Sequence, residues 1–289
     1  MPPFWISIAL LSLVQGALVA LPGVLAWSPP ARLRSRRWAI VPPLSVIVFV
    51  FGAGAAERAS AQGLTYLALC AVPLLAALAL GWLLWDAQRP RTGRALRALF
   101  VAPLFALAWA DRGGLAGETA ALALSALSCV ALGVLLATVT PPRWLAAGIV
   151  AMAVADATLV VSELLQRPNN ALNAARPVAN LPQLQSAVFG SAVIGYGDLF
   201  IAGVLGGLLA ATVGRRLQLR AAALTALLAV TFDLLFFLVN ELPATVPVAL
   251  ALIVTMLSRR WRSAHGRTAL PLRSSAATAH ARRRSPAAR

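Results

Sequence analysis

The chain has 289 residues, of which 60% are hydrophobic and only 12% are charged, and its mean hydropathy is +0.80. A soluble protein of 30.2 kDa has too little interior to bury so many apolar side chains, so most of them must face lipid or other membrane helices. The composition therefore predicts an integral membrane protein and excludes a soluble enzyme or a nucleic-acid-binding module.

Nine apolar runs, each close to the length of a spanning helix, follow one another between breaks that contain Arg, Pro, Gly or acidic residues. The predicted spans are 4–27, 38–55, 63–85, 96–110, 119–140, 144–165, 186–213, 221–240 and 243–258. Only Asn240 to Pro243 divide the eighth span from the ninth, so eight spans are the alternative. We expect an all-α polytopic membrane domain over 1–258 and a disordered basic tail over 259–289.

The arginines predict the orientation, because every one of the 25 basic residues is Arg and positively charged loops stay on the cytoplasmic side. Twenty-one follow odd-numbered predicted spans, nine of them in the tail. The opposite side holds four: Arg58, Arg112, Arg167 and Arg176. This asymmetry predicts a multi-pass protein of the cell membrane with its N-terminus outside and its C-terminus cytoplasmic. The basic tail is typical of a cytoplasmic end attracted to anionic lipid headgroups rather than of a nucleic-acid-binding segment.

Thiols and imidazoles give no catalytic or metal-binding pattern. Cys70 and Cys129 lie inside apolar runs, where a thiol behaves as a small hydrophobe, and His265 and His280 lie in the tail. We therefore expect no metal or other cofactor and no Cys/His or Ser/His/Asp chemistry.

The acidic residues are more informative. Five of the nine lie at loops or helix ends: Glu57, Asp86, Asp111, Glu118 and Glu241. Glu163 lies within a turn of the outer end of the sixth span. Asp156, Asp198 and Asp233 remain inside apolar stretches, where a carboxylate costs at least about 2.5–3.5 kcal/mol, so each is a candidate functional residue. The alternative for any one of them is a packed, hydrogen-bonded structural acid.

Depth decides whether these acids can cooperate. At about 1.5 Å per residue, Asp156 and Asp233 fall about 12 Å below the outer ends of the sixth and eighth spans, and Asp198 about 18 Å below that of the seventh. All three can therefore share one layer, and a facing pair of Asp156 and Asp198 is feasible. Two carboxyls a few ångströms apart in a cavity of low dielectric cannot both ionise, so they share a proton, and such a pair can activate a water while it polarises a peptide carbonyl.

Asp198 ends the string Gly195-Tyr196-Gly197-Asp198, in which the two glycines remove side-chain bulk beside the acid. With Asp156 one span earlier, and with Pro243-Ala244 and then Pro247-Val248-Ala249-Leu250 at the start of the ninth span, the pattern over 144–258 resembles the intramembrane aspartyl proteases of the presenilin and signal peptide peptidase family. The resemblance implies a presenilin-like nine-helix fold with Asp156 and Asp198 as the catalytic pair.

Two departures from the family pattern keep alternatives open. Ala155 stands where the family has Tyr before the first catalytic Asp, and the third motif is loose. Because Phe232-Asp233 is closer to the aromatic-Asp pairing, Asp198 with Asp233 is the alternative pair. Pro243 and Pro247 either leave backbone groups free to bond an unwound substrate or simply open a helix.

The predicted orientation resembles that of signal peptide peptidase, which implies that the substrates are membrane-embedded helical peptides or proteins with their N-terminus inside, leftover signal peptides included. The rival functions are a proton-coupled transporter that uses the buried acids, an inactive presenilin-like scaffold and a type IV prepilin peptidase. The last is a rival because type IV prepilin peptidases also contain Gly-x-Gly-Asp. The sequence leaves the oligomeric state open.

Overall fold

The structure is a computed structural model that describes residues 2–23, 34–44, 57–83, 91–239 and 242–268. These residues are mostly helical, as an all-α membrane protein requires. Four described helices are long and apolar enough to cross a membrane: Ala61–Gly81, Leu115–Val139, Pro142–Val161 and Arg215–Phe237. Shorter apolar helices cover Phe4–Ala20, Ala95–Ala110, Tyr196–Thr212 and Val246–Arg259.

The described elements comprise ten α-helices and one hairpin. They are α1 (Phe4–Ala20), α2 (Glu57–Leu78), α3 (Arg91–Ala98), α4 (Val101–Ala110), α5 (Leu115–Val139), α6 (Pro142–Val161), α7 (Gln166–Ala174), β1 (Ser186–Phe189), β2 (Ala192–Gly195), α8 (Tyr196–Thr212), α9 (Arg215–Asp233) and α10 (Val246–Thr268). Short 3₁₀ segments cover Arg36–Ile40, Val178–Asn180 and Leu234–Phe237, and a π-helical turn, Ala79–Leu83, follows α2.

The predicted span 96–110 matches the apolar helical stretch Ala95–Ala110. A turn at Leu99 and Phe100 divides this stretch into α3 and α4, and Pro103 falls in the first turn of α4, where proline is tolerated. Most of the predicted span 38–55 lies outside the described residues. The predicted tail also begins too early, because α10 continues to Thr268, and 269–289 lie outside the described residues. The described residues form two compact units, one over Met1–Leu252 and the other from Ile253 onward.

The largest correction concerns the predicted span 186–213, of which only α8 is helical. Residues 186–195 form an antiparallel hairpin in which Ser186 pairs with Gly195 and Phe189 with Ala192. Its two-residue loop has Gly190 at φ +59°, a backbone conformation that glycine adopts without strain. A short apolar run with β-branched residues fits a strand as well as a buried helix, so hydropathy alone did not separate the two.

Helix α8 lies at the centre of Met1–Leu252, with α5 on one side and α1 on another. A β-carbon added at Gly207 would lie 2.5 Å from the Gly133 carbonyl oxygen of α5, and one at Gly203 would overlap the Cys129 carbonyl. The α5 and α8 backbones are therefore in direct contact, which is how small residues spaced four apart pack membrane helices. Gly206 makes an equally close approach to the Leu18 carbonyl of α1.

Helices α1 and α9 pack antiparallel, and aromatic side chains gather where α1 begins and α9 ends. The Phe4 and Phe236 rings lie edge to face with centroids 5.5 Å apart, and Trp5 stacks on Phe237 at 4.4 Å. All but Phe236 are well exposed. Exposed aromatic clusters at helix ends are typical of a membrane–water interface, so this end of the bundle is where we expect one.

Candidate functional site

Asp156 lies on α6 and is only 6% exposed. Its Oδ2 accepts a hydrogen bond of 2.6 Å from the Thr245 hydroxyl, and the Thr245 backbone supplies a second one. Two donors therefore compensate a carboxyl that would otherwise be buried among apolar side chains at a large cost.

Thr245 immediately precedes the first residue of α10, so its side chain lies at the start of that helix. A threonine there normally uses its hydroxyl oxygen to accept a bond from its own helix, whereas this hydroxyl donates to Asp156. Thr245 is fully buried, so the start of α10 is packed against α6 at the acid. The Pro243-Ala244 motif predicted from the sequence therefore lies next to Asp156. Of the remaining motif residues, Pro247 and Ala249 are buried, whereas Leu250 is 43% exposed.

The alternative that the prolines leave free backbone groups for a substrate does not hold at this turn. The Pro243 carbonyl accepts from the Val246 amide at 3.1 Å, and the Thr245 carbonyl accepts from the Ala249 amide at 3.1 Å. The Ala244 carbonyl accepts from the Gln15 side chain, also at 3.1 Å. These three carbonyls all have partners, and the segment is an ordinary helix start.

Asp198 is the third residue of α8, not a mid-helix residue as predicted. Gly195 caps the helix with extended backbone angles (φ −67°, ψ 147°), and its backbone amide hydrogen-bonds the Asp198 carboxylate. This is half of a capping box, and the helix N-terminus adds a favourable dipole. A β-carbon at Gly195 would lie 3.0 Å from Asp198 Oδ2, so the glycine gives the carboxylate its room.

Asp198 nevertheless lies at the depth of the other two acids. Gly206 of α8 contacts Leu18 near the end of α1, while the hairpin loop contacts Ser7 near its beginning, so α8 and α1 run in the same direction. Asp198 comes eight residues before Gly206, about 12 Å at 1.5 Å per residue, which places it level with the middle of α1, near Ser12. The hairpin takes up the outer part of the predicted span.

Asp156 and Asp198 lie on two helices, α6 and α8, that contact each other. The Asp156 carboxyl is close enough for its charge to act on the Asp198 carboxyl through the protein interior. A β-carbon added at Gly197, next to Asp198, would lie 3.8 Å from Met152 Cε. Met152 lies one turn before Asp156 on α6. Asp156 is a buried residue, and Asp198, at the first turn of α8, is half-buried.

Tyr196, the remaining residue of the string, points to α5. Its hydroxyl lies 2.7 Å from Ser128 Oγ, and its ring packs against an apolar cluster that includes Val72 and Leu124. Tyr196 therefore fixes the start of α8 against α5, and its hydroxyl is engaged there.

Asp233, the alternative partner of Asp198, is the last residue of α9 and is 9% exposed. Its Oδ2 accepts a hydrogen bond of 2.7 Å from Ser12 on α1. Within the described part of the chain no interaction joins Asp233 to Asp198. The structure thus brings together Asp156, Asp198 and Thr245, and it pairs Asp233 with α1.

A polar groove of about 590 Å³ lies beside the hairpin. Arg112, Glu118, Arg176 and Val193 are among its lining residues. Glu118 Oε2 accepts a hydrogen bond of 2.7 Å from the Gly190 amide, which fixes the hairpin loop to α5. From Val193, strand β2 continues to Gly195 and the start of α8. Among the described residues no group of three or more His, Cys, Asp or Glu side chains could hold a metal ion.

The sequence reasoning missed three polar residues: Thr245, Ser12 and Gln15. Ser12 and Gln15 are three residues apart in the largely apolar α1, so they share a face, and that spacing was the available signal. Thr245 directly follows Pro243-Ala244. Comparison with protein-family models, curated proteins and solved structures found no match. The fold and this site define a helical membrane protein with two acids on contacting helices.

Proposed function

We propose that this protein is an intramembrane aspartyl protease that hydrolyses transmembrane helices or signal peptides with Asp156 and Asp198. The observation that carries the proposal is the placement of the two acids on contacting helices, α6 and α8, within electrostatic reach of each other. The resemblance to the presenilin and signal peptide peptidase family, which rests on Asp156, Gly195-Tyr196-Gly197-Asp198 and the Pro243-Ala244 turn, supports the same function.

The proposed chemistry uses one water and the proton that the pair shares. The ionised carboxyl removes a proton from the water as its oxygen bonds to the peptide carbonyl carbon, and the protonated carboxyl gives its proton to the carbonyl oxygen. When the tetrahedral intermediate collapses, the nitrogen takes a proton from the carboxyl that had accepted the water proton, the C–N bond breaks, and the hydroxyl on the former carbonyl oxygen returns its proton to the other carboxyl. One fragment leaves with a carboxyl end and the other with an amine end, and the pair again holds one proton and is ready for another water.

The surroundings of each acid support this division of tasks. The Thr245 hydroxyl and backbone hold Asp156, and the Gly195 amide holds Asp198, so both carboxyls have fixed directions before substrate arrives. Asp198 sits at the first turn of α8, where the chain leaves the hairpin. In the proposed mechanism, water and an unwound peptide reach the pair from the hairpin side.

We further propose that the aromatic end of the bundle faces outward, as the arginine distribution predicts, with the C-terminus in the cytoplasm. Substrates are then single membrane helices whose N-terminus is inside. The acids lie about 12 Å below the beginning of α1, which is well within a hydrocarbon core about 30 Å thick. Cleavage is therefore expected in the outer half of the substrate helix.

The test is cleavage of a labelled signal-peptide-like helix by purified protein in detergent. Asp156→Asn and Asp198→Asn should abolish product formation, whereas Asp233→Asn should retain it, because the asparagine oxygen can still accept the Ser12 hydrogen bond. The proposal would be rejected in favour of a transporter if the wild-type protein cleaved no helix and instead supported uptake into proteoliposomes that depends on a pH gradient and on the same acids.

A further inference from the structure

Helix α1 carries a short polar face in a largely apolar sequence. Ser12 and Gln15 are 5% and 1% exposed, so both point into the bundle. Burying an amide in an apolar environment is unfavourable unless its hydrogen bonds are made, so the partners of these side chains are informative.

Both partners lie at the ends of one connection. Ser12 Oγ donates to Asp233 at the end of α9, and Gln15 Nε2 donates to the Ala244 carbonyl just before α10. The chain between these two points contains the 3₁₀ segment Leu234–Phe237. Helix α1 therefore fixes the connection where it starts and again where it ends.

The second attachment is directly joined to the candidate site. Ala244 precedes Thr245, whose hydroxyl donates to Asp156 at 2.6 Å. The path from α1 to the acid thus contains one partly buried hydrogen bond, one peptide unit and one fully buried hydrogen bond. A shift of the Ala244 carbonyl displaces the Thr245 hydroxyl with it, because the two residues share that peptide unit.

We propose that α1 positions Asp156 through Gln15, with the Ser12–Asp233 pair as the second attachment of the same connection. This inference rests on the proposed protease function, in which Asp156 is catalytic. Gln15 is a positioning residue: it holds Ala244 so that Thr245 keeps the Asp156 carboxyl directed at Asp198. The proposal also assigns the third acid, Asp233, a structural role instead of a catalytic one.

A kinetic comparison with a matched control separates positioning from general stability. Gln218 of α9 is an equally buried glutamine that donates to the Val19 and Pro22 carbonyls, each at 2.9 Å, at the other end of α1. Gln15→Leu should lower kcat for helix cleavage about 10- to 100-fold with KM nearly unchanged, whereas Gln218→Leu should leave kcat within about threefold. Equal kcat losses in both variants, or a loss confined to KM, would overturn the proposal.

A conservative variant provides a signature that a merely structural role would not give. Gln15→Glu can donate to the Ala244 carbonyl only while its carboxyl is protonated. Its kcat relative to the wild-type protein should therefore rise as the pH falls, and the kcat of Gln15→Leu relative to the wild-type protein should not. A ratio for Gln15→Glu that is independent of pH would contradict the assigned hydrogen bond.

Hydrogen exchange tests the same inference without any catalytic readout. Gln15→Leu should speed amide exchange in peptides that cover 243–249, and Gln218→Leu should not. Unchanged exchange there would overturn the positioning role even if cleavage is observed. Faster exchange in a protein that cleaves no helix would leave the α1 attachment intact and reject the protease instead.

Discussion

The Thr245 hydroxyl donates a 2.6 Å hydrogen bond to the Asp156 carboxylate, although the two residues are 89 positions apart in the chain. This bond links the start of α10 to the middle of α6, and the Thr245 backbone adds a second one. The weakest of the three sequence motifs is thereby placed against the first of the two candidate catalytic acids.

Thr245→Val removes the hydroxyl donor while nearly preserving the volume of the side chain. The hydrogen bond is to a carboxylate and is buried, so its loss should cost about 1.5–3 kcal/mol, or about 10-fold or more in kcat. Steady-state cleavage kinetics measure this effect. Thr245→Ser keeps the hydroxyl and should recover most of the activity.

Thr225→Val is the matched control, because Thr225 is equally buried but donates to the Ala221 carbonyl of its own helix. That variant should behave nearly as the wild-type protein does. Comparable loss of cleavage in Thr225→Val and Thr245→Val would show that Thr245 has no special relation to Asp156.

Gly195→Ala tests the room around Asp198. The new β-carbon would lie 3.0 Å from Asp198 Oδ2, which forces the carboxylate to move. We expect cleavage to fall at least about tenfold, since a small displacement of a catalytic group costs one to two orders of magnitude. Gly214 caps α9 with similar backbone angles and has nothing within 4 Å of its added carbon. Gly214→Ala should therefore leave cleavage unchanged, and equal effects at both glycines would contradict the steric argument.

The sequence predicted the class of fold and identified Asp156, Asp198 and Asp233 as acids within apolar stretches, because hydropathy and the cost of a membrane-buried charge are local properties of the chain. It predicted a single span at 186–213, however, and the structure has a hairpin followed by α8. An apolar run with Val188, Val193 and Ile194 is equally compatible with a strand and with a helix. The pairing of residues 186–189 with 192–195 decides in favour of strands.

The site itself depends on contacts that no sequence spacing shows. The pairing of Asp233 with Ser12 spans 221 positions, and the contact between Gln15 and Ala244 spans 229. Sequence alone left Asp156 and Asp233 as rival partners for Asp198, because both lie at a similar predicted depth. The packing of α6 and α9 against different neighbours separates them.

Gly133→Ala tests the close packing of α5 on α8. The added carbon would overlap the Gly203 carbonyl and the next backbone atoms, so the helices must separate. Overpacking of this kind should destabilise the protein by about 1–3 kcal/mol, measured as a lower midpoint of unfolding in detergent. Gly63 of α2 has nothing within 4 Å, and Gly63→Ala should be neutral or slightly stabilising. A Gly133→Ala protein as stable as the Gly63→Ala protein would rule out this helix contact.

The most direct test of the central claim is a double-mutant cycle on helix cleavage with Asp156→Asn, Asp198→Asn and the variant that carries both substitutions. Residues that act as one catalytic unit are strongly non-additive. Each single variant should lose about 10³-fold or more in kcat. The kcat of the double variant should be no lower than that of the less active single variant. Independent losses that multiply, or a single variant that keeps activity within about tenfold of the wild-type protein, would contradict a shared catalytic pair.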